Sequence, residues 1–425
     1  MTKFAFFGCW NEVHYPSEEN DNPCFKIQEN ETKTKCDEFT SVLQEIKQQP
    51  DIDFLVVAGD NYYPQKKTEK DKDGKKTKTK TFSQDDFNTG FEALKSIDKP
   101  TYLLIGNHDV DNIAPKEKKD KSKKKGGNSE EERKNNCSIM EAEIDFVKDS
   151  NIKLFDYNTE LIVEEMQETN TLCIMVDTSI FVESLDCYYP LLNESDKHWN
   201  KEEIIEKQKR MIQTVIHDHR DKNKKPIHNV CFFGHHPLLC LKKKEKIILE
   251  ETNMKWNHFL FQVILENGLQ EIPNIYYFCA DLHQYQDGIV TIRDSDGQNT
   301  IKIKQYIAGT GGAHMDPEIQ QNKITEEEHL REISIGDIHS SYRMNKSIEK
   351  NVFLIIDDKL KVVFHPVYFS KKAKSLSHLP SLRSRSRSRR RSHYLSRHGN
   401  QGIIRSNSLG GKTRRIKRKS KKNKH

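Results

Sequence analysis

Five short apolar segments of this 425-residue chain are each followed at once by side chains that can bind a metal ion or exchange a proton. These polar side chains belong to Cys9, Asn11, Asp60, Asn61, Tyr63, Asn107, His108, Asp109, His235, His236, Asp281 and His283. Carboxylate, amide, phenol and imidazole groups are ligands for metal ions, and several of them also serve as general acids and bases. A single Asp or Asn at such a position is ordinary turn chemistry. Five such turns in one chain indicate a shared metal-dependent site.

The segments before these side chains are predicted to be buried strands, because they are five to seven residues long and rich in β-branched or aromatic residues. The predicted strands lie at 4–8, 54–59, 101–106, 171–177, 229–234, 275–280 and 304–309, with a closing hairpin at about 351–367. Segments with the apolar spacing of helices lie at 40–46, 87–97, 139–147, 204–216 and 256–265. This alternation predicts an α/β sandwich, with the polar residues beyond the carboxyl ends of the strands.

The formal net charge of +6 combines two parts of opposite sign. Residues 371–425 hold 20 of the 70 Lys and Arg and no Asp or Glu, so residues 1–370 keep 50 basic against 64 acidic residues. Because this tail has few apolar residues, it cannot offset the entropy lost on ordering, and we expect it to be disordered. Its Arg/Ser-rich and Lys-rich runs favour binding to nucleic acid or another polyanion, or nuclear targeting. A solubilising tail without specificity is the alternative.

Two further charged stretches interrupt residues 1–370. They lie at about 65–81 and 116–136, and neither has a periodic pattern of apolar residues. Both are therefore predicted to be long exposed loops inserted into one domain. Since each follows a candidate motif directly, two interpretations stay open: loops that shape access to a site, or loops that are merely solvated.

The nine cysteines lie at 9, 24, 36, 137, 173, 187, 231, 240 and 279, and none forms a CxxC pair. This spacing favours thiols in a reducing compartment over a disulfide framework. No apolar run reaches the ~20 residues of a membrane-spanning helix, and the first residues lack the pattern of a secretory signal peptide. The expected location is intracellular; nucleus, cytoplasm and a virion-like compartment are not distinguished.

The order of the motifs resembles that of the calcineurin-like metallophosphoesterases. The motifs are GDN at 59–61, GNHD at 106–109, GHHP at 234–237 and a late histidine motif ending at His283. Within this superfamily the chain is most similar to the small purple, or tartrate-resistant, acid phosphatases, through Tyr63, Trp10, GHHP and the stretch GTGGAHMDP. The resemblance implies a four-layer α/β/β/α sandwich over residues 1–370. It also implies hydrolysis of phosphomonoesters by a water molecule activated between two metal ions.

The same resemblance implies a role for each site residue. Asp60 would bridge two metal ions, iron paired with iron, zinc or manganese. The first ion would be held by Tyr63 and His283, and the second by Asn107 and His235. His108 would protonate the leaving group, Asp109 would orient His108, and Asn107, His108 and His236 would contact the phosphorylated substrate.

Two metal-ligand positions depart from the family pattern. Cys9 stands where the family has aspartate, and Asp281 stands where it has histidine. A thiolate and a carboxylate can both bind metals, so both residues are candidate ligands, although Cys9 could equally be inert. His14 or Glu12 are alternatives to Cys9. A second function therefore stays open: a degenerate, non-catalytic binding module whose tail engages nucleic acid or another polyanion. The sequence does not specify the physiological substrate or the oligomeric state.

Overall fold

The computed structural model describes residues 2–12, 35–70, 76–111, 113, 137–157, 163–166, 169–192, 199–223, 226–243, 247–250, 254–313, 315–325 and 331–367. The strands are β1 Lys3–Phe7, β2 Phe54–Val57, β3 Gln65–Lys70, β4 Lys76–Thr81, β5 Thr101–Leu103, β6 Ile152–Leu154, β7 Val163–Met166, β8 Thr171–Met175, β9 Asn229–Phe233, β10 Cys240–Lys243, β11 Ile247–Glu250, β12 Asn274–Cys279, β13 Tyr285–Asp294, β14 Thr300–Ala308, β15 Glu332–Ile335, β16 Ile338–Ile348, β17 Val352–Asp357 and β18 Val362–Pro366. The α-helices are α1 Lys35–Lys47, α2 Gln84–Lys95, α3 Ser138–Val147, α4 Lys201–Asn223 and α5 Met254–Glu266.

Two mixed sheets form the body of the fold. The first has six strands in the order β18-β17-β1-β2-β5-β6, and the second has eight in the order β15-β16-β13-β14-β12-β9-β8-β7. In the first sheet β1, β2, β5 and β6 are parallel; in the second β8, β9, β12 and β14 are parallel. These parallel strands bring the predicted site residues to the carboxyl ends of both sheets.

The two sheets pack face to face through aromatic side chains. Phe4 and Phe6 of β1 contact Phe233 of β9 and Phe278 of β12, with ring centroids 5.6 to 6.3 Å apart. Helices α1 and α3 pack on the first sheet and α4 packs on the second. Because strands such as β1 are covered on both faces, they are continuously apolar rather than alternating. The predicted four-layer α/β/β/α sandwich is confirmed.

The predicted strands, helices and closing hairpin all form, but the prediction for 65–81 is wrong. Instead of a loop, β3 and β4 pair as an antiparallel hairpin from Gln65↔Thr81 to Lys70↔Lys76. Threonine has a high strand propensity, and in the segment 76–81 it alternates with lysine at the period of a strand. The segment 116–136 and the tail 371–425 lie outside the described residues, so the domain division and the disordered tail stay predictions.

The cysteines give a second correction. Cys137 and Cys187 form a disulfide, with Cα atoms 5.1 Å apart and a sequence separation of 50. The sequence pattern favoured thiols throughout, since nothing in the spacing identifies two partners so far apart. Five further cysteines of the described residues are buried and form no disulfide: Cys9, Cys173, Cys231, Cys240 and Cys279. Among the described helices, none combines the length and apolar character that a bilayer crossing requires.

Candidate metal centre

The strand ends turn sharply where they deliver the site residues. Cys9, Asp60 and Asp281 follow β1, β2 and β12, and all three have left-handed backbone, with φ of 52°, 52° and 54°. Non-glycine residues seldom adopt this conformation, and each instance costs on the order of 1–3 kcal/mol. Backbone hydrogen bonds hold two of these turns: Cys9 N–H donates to Gly59 O at 3.1 Å, and Trp10 N–H donates to Asp60 O at 3.4 Å. Strained residues of this kind cluster at functional sites.

Two glycines let the loops after β2 and β5 touch. A Cβ on Gly106 would lie 2.4 Å from Asp60 Oδ1, and a Cβ on Gly59, whose φ is +78°, would lie 2.5 Å from the Gly106 nitrogen. Any larger residue would therefore push the two loops apart. The GD and GN steps of the sequence thus reflect close approach of backbone as well as turn chemistry.

The two carboxylate oxygens of Asp60 face two different sets of donor atoms. Oδ1 lies 3.3 Å from His235 Nε2 and accepts a hydrogen bond of 3.0 Å from His108 N–H. Oδ2 accepts a hydrogen bond of 2.8 Å from the Tyr63 hydroxyl and lies 3.9 Å from Cys9 Sγ. Asp60 is buried, and burial alone would raise its pKa. The neighbouring His235 and His108 outweigh this effect and hold the pKa of Asp60 below its usual range.

The first donor set is arranged around His235. His235 Nδ1 donates to Ala58 O at 2.6 Å, so the neutral ring carries its lone pair on Nε2. That nitrogen faces Asn107 Oδ1 at 3.0 Å, Asp60 Oδ1 at 3.3 Å and Asp281 Oδ1 at 3.9 Å. In the neutral ring, three oxygen acceptors and a nitrogen lone pair therefore converge, an arrangement that a bound cation would satisfy.

Two further observations support a cation at this set. Burial lowers the pKa of His235, but the charges of Asp60 and Asp281 more than reverse this effect, so the net shift is upward and shows how negative the surroundings of the ring are. Asp281 Oδ2 is also buried and has no hydrogen-bond partner among the described residues. A buried carboxylate oxygen without a partner is costly unless a cation covers it.

The second donor set lies on the other side of Asp60. The Tyr63 hydroxyl contacts His283 Nε2 at 3.0 Å as well as Asp60 Oδ2. Burial, followed by the charge of Asp60, raises the pKa of both Tyr63 and Cys9 well above their usual values. Both groups therefore keep their protons until a cation displaces them.

A loop after β14 holds His283 in place. His283 N–H donates to Asp316 Oδ2 at 3.0 Å, and Asp316 N–H donates back to His283 O at 2.8 Å. Asp316 belongs to the MDP stretch at 315–317. This stretch therefore positions a metal-ligand candidate from outside the motifs.

The residues around Asp60 include two groups that could hold a metal ion. Cys9, Asp60 and His235 form one group with ligand atoms within 4.8 Å of one another, and His235, His236 and Asp281 form another. These groups share His235 and do not coincide with the two donor sets. Oxygen, nitrogen and sulfur donors are all ligand types for metal ions. Asn107, His108, Asp281 and His283 are partly exposed, whereas Asp60 and His235 are buried, so the centre opens to solvent on one side.

The predicted partner of His108 is wrong. Asp109 does not contact the His108 ring; its carboxylate accepts hydrogen bonds from the Gly106 and Asn61 backbone N–H groups, both at 2.7 Å, and from Asn61 Nδ2 at 3.1 Å. Asp111 lies 2.7 Å from His108 Nδ1 instead, and it also binds the Lys80 ammonium. Asp109 therefore ties the loops after β2 and β5 together, and Asp111 takes the orienting position.

The electrostatics agree with this exchange of roles. Burial and the charge of Asp60 raise the pKa of Asp109 to about 7, as expected for a carboxyl group enclosed in the loops. Burial lowers the pKa of His108. The charges of Asp60 and Asp111 outweigh burial, so the net shift of this pKa is upward. An upward shift of the pKa favours the protonated imidazole of His108.

Thr178 is a site residue that the motifs did not predict. Its Oγ1 accepts hydrogen bonds from His235 N–H at 3.2 Å and from His236 N–H at 2.9 Å, and lies 3.0 Å from His236 Nδ1. The single hydroxyl proton is therefore directed at Nδ1, and the neutral His236 ring carries its own proton on Nε2. Burial keeps this ring neutral by lowering its pKa to about 4. The only sequence signal was the position of Thr178 after the apolar run 171–177.

The family model described as calcineurin-like phosphoesterase (Metallophos) matches residues 2–285, which include all residues of both donor sets. A solved structure titled "Structure of PhoD" matches at 11% sequence identity with a TM-score of 0.41, covering 87% of this chain and 72% of that one. At that score the likeness supports no statement about the site. The comparison with curated proteins gave no match.

Proposed function

The chain belongs to the calcineurin-like phosphoesterase family, and we propose that it is a metal-dependent phosphomonoesterase with two metal ions around Asp60. The observation that carries the proposal is the division of Asp60 between two donor sets, one oxygen for each. A carboxylate with this arrangement is suited to bridge two cations. The proposed acid-phosphatase-like activity rests on the resemblance of GDNYY, GNHD and GHHP to the small purple acid phosphatases.

Each donor set would hold one ion. In the first set, Asn107, His235 and Asp281 would bind an ion together with Asp60 Oδ1. In the second set, Tyr63, His283 and Cys9 would bind an ion together with Asp60 Oδ2. We propose iron for the second set, because a phenolate is a strong ligand for ferric iron, and iron, zinc or manganese for the first set. When bound, such ions neutralise phosphate oxygens and lower the pKa of water towards neutrality.

The protein side chains would bind and protonate the substrate. Asn107 and His108 are partly exposed at the open side of the centre, where a phosphate would enter. His108 Nδ1 is engaged by Asp111, which leaves Nε2 to donate a proton to the leaving oxygen. His236 would add a neutral N–H donor beside Asp281. In this proposal Asp111 is a positioning residue and His108 is the general acid.

Substituting Asp111 should affect poor leaving groups more than good ones. We expect Asp111→Asn to lower kcat/KM for an alkyl phosphate such as β-glycerophosphate by about 10²-fold, the low end of general acid catalysis. For p-nitrophenyl phosphate the loss should stay within about threefold, because p-nitrophenolate departs without a proton. Steady-state kinetics on both substrates give the measurement.

The matched control is Asp145→Asn, which removes another carboxylate that pairs with a lysine, Lys148, on an exposed helix face. This control should leave kcat/KM unchanged for both substrates. Asp111→Glu should recover part of the loss on the alkyl phosphate. Equal losses of Asp111→Asn on both substrates would indicate a merely structural role and contradict the assignment.

Metal content and colour test the proposal directly. The full chain, reconstituted with iron and zinc, should bind two equivalents of metal and hydrolyse p-nitrophenyl phosphate. With ferric iron it should show a visible charge-transfer band that Tyr63→Phe removes. Tyr62→Phe is the control, because the buried Tyr62 hydroxyl accepts from Ser83 N–H rather than contacting Asp60. One equivalent of metal contradicts the two-ion centre. Bound metal without hydrolysis favours the non-catalytic binding module.

A further inference from the structure

The hairpin of β3 and β4 is an insertion that meets the proposed centre through the contact of Lys80 with Asp111. We propose that one face of this hairpin binds the backbone phosphates of a single-stranded nucleic acid whose terminal phosphate enters the site. The inference rests on the proposed function, since it assigns the substrate class of the same centre. It is carried by the register of the two strands and by the position of Lys80.

The register places five lysines on one face. Opposite one another across the strands are Lys66 and Lys80, Thr68 and Lys78, and Lys70 and Lys76. Because residues two apart share a face of a strand, these three pairs lie on the same face. The other face has Gln65, Thr81, Lys67, Thr79, Glu69 and Thr77. The first, called here the basic face, therefore has five positive residues and no acidic one.

This charge pattern is complementary to a polyanion. Lys66↔Lys80 and Lys70↔Lys76 put like charges directly opposite each other, which destabilises a pair of strands. It also contrasts with residues 1–370 as a whole, where acidic residues outnumber basic ones. Phosphates bound along this face would offset the repulsion between the lysines by attracting each of them.

The basic face begins at the proposed centre. Lys80, its member nearest the base of the hairpin, binds Asp111, whose carboxylate lies 2.7 Å from His108 Nδ1. At the other strand, Gln65 follows Tyr63 by two residues. Six-residue strands are about 20 Å long, so the register positions of the basic face extend over about that distance from the Lys80 end.

The residue types favour nucleic acid over a phosphorylated protein. Successive lysines on β4 stand about 6.8 Å apart, a regular repeat that phosphodiesters can follow. The segment 65–81 contains no aromatic or large aliphatic residue that would contact the side chains of a peptide. It also lacks the aromatic platforms on which bases stack, so the contacts would be to phosphates and independent of base sequence.

The test compares two variants of the full chain with the same change in charge. Lys76→Gln with Lys78→Gln removes two charges from the basic face. Lys67→Gln with Thr79→Glu makes the same change on the opposite face of the same hairpin. The substrates are a ten-residue oligothymidine with a terminal phosphate and p-nitrophenyl phosphate.

We expect the basic-face variant to lower kcat/KM for the oligonucleotide roughly tenfold at low salt. Its slope of log kcat/KM against log salt concentration should become less negative by about 1.4, the value for two single-strand phosphate contacts. Hydrolysis of p-nitrophenyl phosphate should stay within about twofold of the unsubstituted protein. The opposite-face variant should behave like the unsubstituted protein on both substrates.

Three results would overturn the inference. The oligonucleotide rate could be unchanged in the basic-face variant, or both variants could lose it equally, or an acidic phosphopeptide could show the same face-specific loss. If the unsubstituted protein hydrolyses neither substrate, the proposed function fails. Binding by the basic face is then measured by fluorescence anisotropy of labelled oligothymidine. Equal Kd values for the two variants would contradict the inference.

Discussion

Replacing Asp60 by asparagine should abolish phosphoester hydrolysis with every metal, lowering kcat/KM for p-nitrophenyl phosphate by about 10⁴-fold or more. Asparagine has nearly the same shape, but it offers one oxygen and one N–H₂ donor in place of two oxygens. Whichever way the amide turns, a donor faces either His235 Nε2 or the Tyr63 hydroxyl. One of the two donor sets must therefore lose its shared oxygen, and the metal content should fall by at least one equivalent.

The control for this loss is Asp85→Asn, an exposed aspartate in the first turn of α2. It should retain full activity and metal content, and both variants should show an unchanged far-UV spectrum. The prediction is contradicted if Asp60→Asn is as active as the unsubstituted protein with iron, zinc and manganese alike. In that case the observed hydrolysis does not come from this centre.

The positions of the site residues along the chain could be predicted because each follows a strand. Apolar runs locate strands, and the direction of parallel strands brings their ends to one edge. Asp60, Asn107, His235 and His283 were therefore identifiable from order and residue type, and the structure brings them together around Asp60.

The partner of His108 could not be predicted in this way. Asp109 and Asp111 are two residues apart in one turn, so sequence spacing cannot distinguish which carboxylate faces the imidazole. Which carboxylate faces the imidazole depends on the backbone N–H groups of Gly106 and Asn61. Both N–H groups donate hydrogen bonds to the Asp109 carboxylate, which leaves Asp111 to contact His108. Thr178 is hidden for a similar reason, because its contact with the turn at His235 and His236 spans 57 and 58 residues.

The backbone at the two substituted ligand positions is compatible with the family residues. Cys9 and Asp281 both have φ above +50°, as does Asp60. Asp and His are several-fold enriched among the non-glycine residues in this conformation. The family residues, aspartate at position 9 and histidine at 281, would therefore meet the same backbone requirement. The turn geometry does not oppose restoring them.

Restoring both family residues should strengthen the centre. We expect Cys9→Asp with Asp281→His to raise metal affinity and kcat/KM for p-nitrophenyl phosphate by about tenfold or more, comparable to the smallest effects of altered metal surroundings. A second carboxylate at position 9 would replace a thiol that lies 3.9 Å from Asp60 Oδ2 and whose pKa is raised by burial. Hydrolysis and metal titrations of the double variant give the measurement.

The same variant should depend more on metal for its stability. Without metal, carboxylates at positions 9 and 60 repel each other in a buried site, so the Tm of the metal-free protein should fall. With metal the repulsion becomes ligation, so the rise in Tm on metal addition should exceed that of the unsubstituted protein. Cys9→Ser separates the two roles left open for the thiol, because it removes the sulfur ligand without adding charge. If Cys9→Ser leaves the metal affinity unchanged, the thiol of Cys9 is inert. If the double variant binds metal more weakly than the unsubstituted protein, Cys9 and Asp281 are the ligands to which this centre is adapted, and the prediction is contradicted.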